Sequence, residues 1–501
     1  MSDMVEFMSL PVDIWRQVMM FYLSTRNLSL LDGAMVTRKH RQQFLSILSH
    51  PSFITEGVHM KLEAGYYHWV LSRDASIRNL YIANIETLSA LHANQLTSLH
   101  SIRKDYIGEA DCPALQSLIE RNSKTLTKLV LHSVYHVPSV LYVFPHIPHL
   151  THLDLSHTPY KLEHTLFDQV FRHTPCLKVL NLSHCQYNAR DLVVSLIEHC
   201  GHMEEIYFDH NAGQLKDSHL VALAQSYNAQ LRALGLANSV MLTDIGVCAI
   251  GRHCPSLTYL NLHDLHHLSS DAFESIQNTS LQTLDLSNTS VSETALTKLI
   301  KNAENLIFLN LTECPLVVDF SLIQIAESCG NLVYLNLTYC FKVSDIGILA
   351  IATSCLGLQT LILDYCQFIS DSALQLLAEH KATSPISLQR LSLLSLVCVP
   401  SLSDMSILMS TGLLEDLVEL NLSGNPSLTD MSVLHIFCVA CRLQTFKIAD
   451  CFRITNLCVD KLIYTPVGSL KYLDVSYTHV TAERVGRVRG VKVRAVHCGL
   501  G

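Results

Sequence analysis

The chain has 501 residues, 49% of them hydrophobic, with 35 Lys and Arg against 44 Asp and Glu, a formal net charge of −9 and a sequence pI near 6.3. No apolar run approaches the ~20 residues a spanning helix needs, and the acidic balance excludes a general nucleic-acid or anionic-membrane binder, since both require a basic field. Seventeen cysteines are scattered through the length. With no basic n-region in MSDMVEFMSLPVDIW, this usage predicts reduced thiols in a soluble protein of the cytoplasm, the nucleus or both.

The first element is LPVDIWRQVMMFYL, in which Pro11 suits a first helical turn and Ile14, Val18 and Phe21 fall along one face. A second apolar group, Leu28, Leu30, Leu31, Ala34 and Met35, leads into TRKHR and then QQFLSIL. Three short amphipathic helices over residues 1–50 do not build an independent core, so they need a partner or the following domain to cover them. Residues 51–125 read as a linker with degenerate entry repeats at Ile77–Ile82 and Leu96–Ile102.

From residue 126 a pattern L-x-x-L-x-L recurs. It begins at Leu126, Leu150, Leu177, Met203, Leu231, Leu257, Leu281, Leu306, Leu332, Leu358, Leu388, Leu417, Leu443 and Leu470, fourteen units at spacings of 24 to 30 residues. In LVYLNL, Leu335 and Leu337 alternate with Tyr334 and Asn336, the period of a short strand with one buried face. In DIGILAIATSC, Ile346, Leu349, Ala350 and Thr353 recur at three and four residues, a helical period, with Ser344 or Asp345 placed to cap the start. Strand plus helix per unit predicts an α/β solenoid, its strands in a parallel inner sheet and its wider helices outside. The stretches EHKATSPIS and VCVPSLSDMSILMSTGLLED read as insertions, and RVGRVRGVKVRAVHCGLG as a terminal cap.

Cysteine closes the phrase at positions 185, 314, 340, 366 and 451, with Asn211, Ser239, Thr289, Asn425 and Thr478 in its place elsewhere. A column of thiols one strand spacing (~4.8 Å) apart cannot converge on tetrahedral zinc. Small polar substitutes point instead to a packing corner that hydrogen-bonds loop backbone. A redox role would show as disulfides between rungs such as 340 and 366. His199–Cys200 and His253–Cys254 belong to units two apart and read as loop residues. No metal ligand set, cofactor motif or catalytic constellation is legible, which predicts a non-enzymatic protein without cofactors.

The phrase LxxLxLxxC, followed by a D-x-x-[LI] helix start, resembles leucine-rich repeats of the cysteine-containing class. The resemblance implies a right-handed horseshoe over residues 126–501, with about fourteen repeats and a C-terminal cap. The opening Leu10, Pro11, Asp13, Ile14 and Val18 resembles a degenerate F-box, although MVTRKH stands where that family carries Val-Cys-x-x-Trp. Together the two resemblances imply a substrate-recognition subunit of a Skp–cullin–F-box ubiquitin ligase. Leu10, Pro11, Ile14, Val18, Leu28 and Leu31 would then dock a Skp-type adaptor that links to the cullin complex. A protein target would lie on the concave strand face, at Tyr259, Asn261, Phe308, Asn310, Tyr334 and Asn336, with Asp364 and Tyr365 on the loop side. The alternative is a non-catalytic repeat scaffold with no ligase association.

Overall fold

The computed structural model describes residues 60–62, 79–82, 98–135, 142–159, 161–211, 214–301, 303–383, 391–464 and 468–496. The six adaptor-docking positions expected at Leu10, Pro11, Ile14, Val18, Leu28 and Leu31 lie outside these residues. The described chain forms two compact units, residues 1–231 and 232–501.

In the first unit, strands Met60–Leu62, Asn79–Ile82, Ser101–Ile107, Lys128–Val134, His152–Asp154, Val179–Asn181 and Glu205–Tyr207 each pair in parallel with the next. The helices Cys112–Arg121, His164–His173, Ala189–His199 and Asp217–Tyr227 alternate with them. The strand at 79–82 lies within the entry repeat expected there. In the entry phrase expected at Leu96–Ile102, of which residues 98–102 are described, Leu99 and Ile102 are buried. Counted from Leu99, the third apolar slot holds Lys104 instead, buried with its Nζ 3.3 Å from Asp111 Oδ1.

In the second unit, eleven strands run in chain order from Ala233–Gly235 to Lys492–Arg494, parallel and in register. The middle residue of successive strands, Leu260, Leu284, Leu309, Leu335 and Leu361, is fully buried while its neighbours along the strand are half-exposed. Period-2 alternation over three residues therefore fixes which face meets the core. The strand at Lys492–Arg494 closes the series, where the terminal cap was expected.

The repeat expected at Leu388 is out of register. Leu361 pairs with Leu394, so the phrase starts at Leu391, whose successors Leu394 and Leu396 are buried with it. Both Leu388-Leu391-Leu393 and Leu391-Leu394-Leu396 satisfy the same pattern, and only pairing with the strand Thr360–Ile362 chooses between them. This restores an ordinary 26-residue repeat between Leu391 and Leu417. The stretch read as an insertion from Val397 is consequently a regular loop with short helices Asp404–Met409 and Thr411–Leu414.

The helix of the Leu332 repeat runs Asp345–Ser354 with Ser344 as N-cap, as expected, but it buries a different stripe. Gly347, Ile348, Ile351 and Ala352 face the core, whereas Ile346 is 65% exposed. This helix is apolar on nearly every side, so its periodicity marks a helix without marking which face is covered. Among the described residues, no helix is long and apolar enough to cross a membrane.

Candidate functional site

The chain leaves the strands Phe308–Asn310 and Tyr334–Asn336 through the same turn. The residue closing the strand, Asn310 or Asn336, accepts the N–H and hydroxyl of the threonine two positions on: 3.2 and 2.7 Å to Thr312, 3.0 and 2.7 Å to Thr338. Asn261 accepts the His263 N–H at 3.0 Å in the same way, and the Asn310 amide donates to Asp285 at 2.9 Å. These amides, expected to meet a target, hold the turn.

The next residue adopts a left-handed backbone, with φ of 57° at Glu313 and 60° at both Tyr339 and Tyr365. This is costly for a side-chain-bearing residue. Here it recurs because each such N–H reaches the neighbouring repeat: Glu313 to the Thr338 carbonyl at 2.8 Å, Tyr339 to the Asp364 carbonyl at 2.9 Å and Tyr365 to the Val397 carbonyl at 2.7 Å. The turn aims one side chain per repeat outward and aligns successive ones.

The closing position then returns inward. The Cys314, Cys340 and Cys366 thiols donate to the Leu286, Leu311 and Leu337 carbonyls of the preceding repeat at 3.1, 3.1 and 3.2 Å. Where threonine replaces cysteine, as at Thr289, its hydroxyl donates to Leu286 within its own repeat at 2.6 Å. Burial pushes the Cys314 thiol up to about 11, the Cys366 thiol up to about 12 and Cys340 well above its ordinary value. In the second unit Cys254, Cys329 and Cys355 cap helix C-termini, and in the first unit Cys200 does the same. His199 and His253 are therefore the last residues of helices, not loop residues. Among the described residues, no group of three or more His, Cys, Asp or Glu is arranged to hold a metal ion.

These features, a short parallel strand in register with its neighbours, an inward cysteine or its polar substitute and a returning helix, decide the fold. Each unit is a leucine-rich-repeat solenoid.

A family model described as "Leucine Rich repeat" matches residues 146–159. No curated protein matches the sequence. Solved structures similar to this leucine-rich-repeat chain include an internalin from Listeria monocytogenes, 17% identical over 75% of this chain and 88% of that one, TM-score 0.41. A chain of the Rad7 and Elc1 complex of yeast is 15% identical over 98% of this chain and 92% of that one, TM-score 0.40. A chain of the TLR13–ssRNA13 complex is 16% identical over 82% and 59%, TM-score 0.47.

The leucine-rich-repeat geometry sorts the eight expected target residues of the second unit into two groups. On the open strand face, Phe308 and Tyr334 are direct register partners and stack, with centroids 4.1 Å apart and planes 9° from parallel. Tyr259 stands one strand further away, with Thr283 between it and Phe308. At the strand exit, Tyr365 stacks on Tyr339 at 4.3 Å. Asp364 there accepts Ser395 Oγ at 2.6 Å and the Val397 N–H at 2.8 Å, yet burial still raises its carboxyl above the ordinary value.

Beside the exit stack lies a depression of about 440 Å³ lined by His266, Asn288, Glu313, Pro315, Tyr339 and Phe341, among others. Sequence reasoning passed over Phe341 in its wall. Phe341, and Phe368 and Phe452 in other repeats, are 41%, 63% and 61% exposed, and each sits one or two residues past a closing cysteine in CFK, CQF and CFR. That repeated placement was the available signal.

The first unit has a polar counterpart on its strands. His132 Nδ1 lies 2.9 Å from Asp105 Oδ1 and Nε2 lies 3.3 Å from Asp154 Oδ2, so one imidazole bridges two carboxylates. The Tyr81 hydroxyl donates to Asp105 at 2.6 Å, and the Arg103 guanidinium lies over the Tyr81 ring. Hydrogen bonding to Asp154, against the pull of burial, raises His132 above its ordinary value, and the charges of Asp154 and Asp105 add to the effect. At the exit of these strands His157, His184 and His210 form a continuous stack at 4.4 Å spacing.

Proposed function

We propose that the chain is the substrate-recognition subunit of a Skp–cullin–F-box type ubiquitin ligase, its N-terminal Leu-Pro helical segment docking a Skp-type adaptor and its second solenoid unit holding a protein target. The observation that carries the target half is the Phe308–Tyr334 stack. Two aromatic rings stand half-exposed on a sheet face, where flat aromatic surface supplies the anchors that dominate protein interfaces. The carboxylates and amides around them, Asp285, Asn310 and Asn336, are held by their own turns, so little ordering remains for a partner to impose. Ubiquitin transfer itself would belong to the partners, and this chain would supply only recognition.

The adaptor half rests on the sequence Leu10, Pro11, Asp13, Ile14 and Val18. Its test is a pull-down of the full chain with a purified Skp-type adaptor, beside an Ile14→Asp, Leu31→Asp double variant. Capture by the unmodified chain and loss in the variant, with circular dichroism unchanged, is the expected result. Failure of the unmodified chain to bind at micromolar concentration would leave a leucine-rich-repeat scaffold. In that case Phe308→Ala and Tyr334→Ala remain the variants with which to look for lost partner binding.

A further inference from the structure

We propose that the depression beside the Tyr339–Tyr365 stack receives the guanidinium of an arginine side chain presented by a protein partner. The inference goes beyond the adaptor reading and stands without it, because it concerns only residues of the second unit.

The argument starts from the column of left-handed positions. Glu313, Tyr339 and Tyr365 occupy the same place in three consecutive repeats, and consecutive strands bring such positions ~4.8 Å apart. Tyr365 covers one face of Tyr339 at 4.3 Å and 20°. The residue on the other side of Tyr339 in the column is Glu313, not an aromatic, and both line the depression. Phe341 adds a second wall, its centroid 5.8 Å from that of Tyr339 and its plane turned by 59°.

An open aromatic face beside a carboxylate selects for a flat cation. A guanidinium stacks on such a face and can direct two parallel N–H groups at one carboxylate, which a compact ammonium cannot. Glu313 is exposed and has not been committed to a turn in the way Asp285 and Asp364 have. No lysine or arginine lines the depression, and Lys342, beside Phe341 in the sequence, is not among its walls. The rim is apolar on one side, where Pro315 and Phe341 form the wall, and His266, Asn288, Thr289 and Ser290 complete the lining. Such a rim suits the methylene stem of an arginine.

The test is ligand-detected NMR titration of the full chain with three blocked tripeptides, Ac-Gly-Arg-Gly-NH2 and its citrulline and lysine analogues. The expected result is saturable binding of the arginine peptide with Kd on the order of 1 mM. The citrulline peptide should bind about tenfold more weakly, and Glu313→Gln should cost the arginine peptide a similar factor. Binding should also weaken as salt is raised, since Glu313 is solvent-exposed. Phe341→Leu, at an exposed loop position, provides a second variant that does not depend on the left-handed turn. Equal affinity for arginine and citrulline, no effect of Glu313→Gln, or no saturation by about 20 mM peptide would overturn the proposal. A lysine peptide binding as tightly as the arginine one would overturn the stacked guanidinium.

Discussion

The carboxylate of Asp319 accepts two hydrogen bonds from Ser344, one from its N–H at 2.7 Å and one from its hydroxyl at 2.5 Å. Asp319 begins one helix and Ser344 caps the next, so a single side chain ties the starts of two consecutive repeats. The same link recurs from Asp345 to Ser370, Asp371 to Ser403, Asp404 to Thr429 and Asp430 to Thr455. Asp319→Ala should cost about 2 kcal/mol of local stability, because it leaves the cap of the following helix without its charged acceptor. Hydrogen exchange should show the loss concentrated in residues 344–354, since each repeat is held by its neighbours.

Gly347 tests the same ladder from the other side. A Cβ there would sit 2.7 Å from Asp319 Oδ1 and 2.7 Å from Leu322 Cδ1. Gly→Ala in an open helix gains up to about 1 kcal/mol. Here Gly347→Ala should instead destabilise by about 1–3 kcal/mol, because it drives a methyl into a closed joint. A gain in thermal stability would contradict the close approach of the two helices.

Lys104 and Asp111 form a pair that neither partner can leave cheaply. Asp111→Ala should cost about 3–5 kcal/mol by stranding a buried ammonium in an apolar slot. The double variant Lys104→Leu, Asp111→Ala should recover most of that loss, since leucine is what other repeats place there. Chemical denaturation of the single and double variants measures the difference.

His132 makes the first unit sensitive to pH. Its folded-state pKa is raised above the ordinary 6.5, so the stability it contributes is fully present below about 6.5 and is lost as pH rises through the folded value. Asp154 behaves in the opposite sense. Burial pushes its carboxyl up, but hydrogen bonds from His132 and Ser156 outweigh this and hold it below 3.8, so its contribution is lost only on acidification. Exchange protection of the strand Lys128–Val134 should therefore fall as pH rises above the ordinary imidazole value of 6.5, and His132→Gln should flatten that dependence.

The thiols should divide by position. In the native protein, Cys176, Cys438 and Cys441, which are exposed, should alkylate readily, while Cys314, Cys340 and Cys366 stay unmodified. Burial keeps those three protonated and covered, and only a thiolate attacks. Mass spectrometry after brief iodoacetamide treatment reads the pattern. Oxidant-induced linkage of Cys340 to Cys366 would overturn the packing role assigned to this column.

The sequence alone determined the repeating unit, because three apolar residues at fixed offsets encode a strand with one buried face wherever neighbours pair in register. It also marked Asp345 and Ser344 as helix starts and the closing cysteines as a packing column, since these roles depend on local chemistry. Tertiary structure decided what local pattern leaves degenerate. The Leu388 and Leu391 phrases are equally good until the strand Thr360–Ile362 chooses one, and Ile346 and Ile348 are equally apolar until neighbouring helices cover only the second. The candidate site was half legible. Phe308 and Tyr334 could be named from alternation alone. That Asn310 and Asn336 serve their own turns is a polar contact two residues long, which apolar periodicity does not record; that Glu313 stands beside an open face of Tyr339 depends on stacking between repeats some 26 residues apart in sequence.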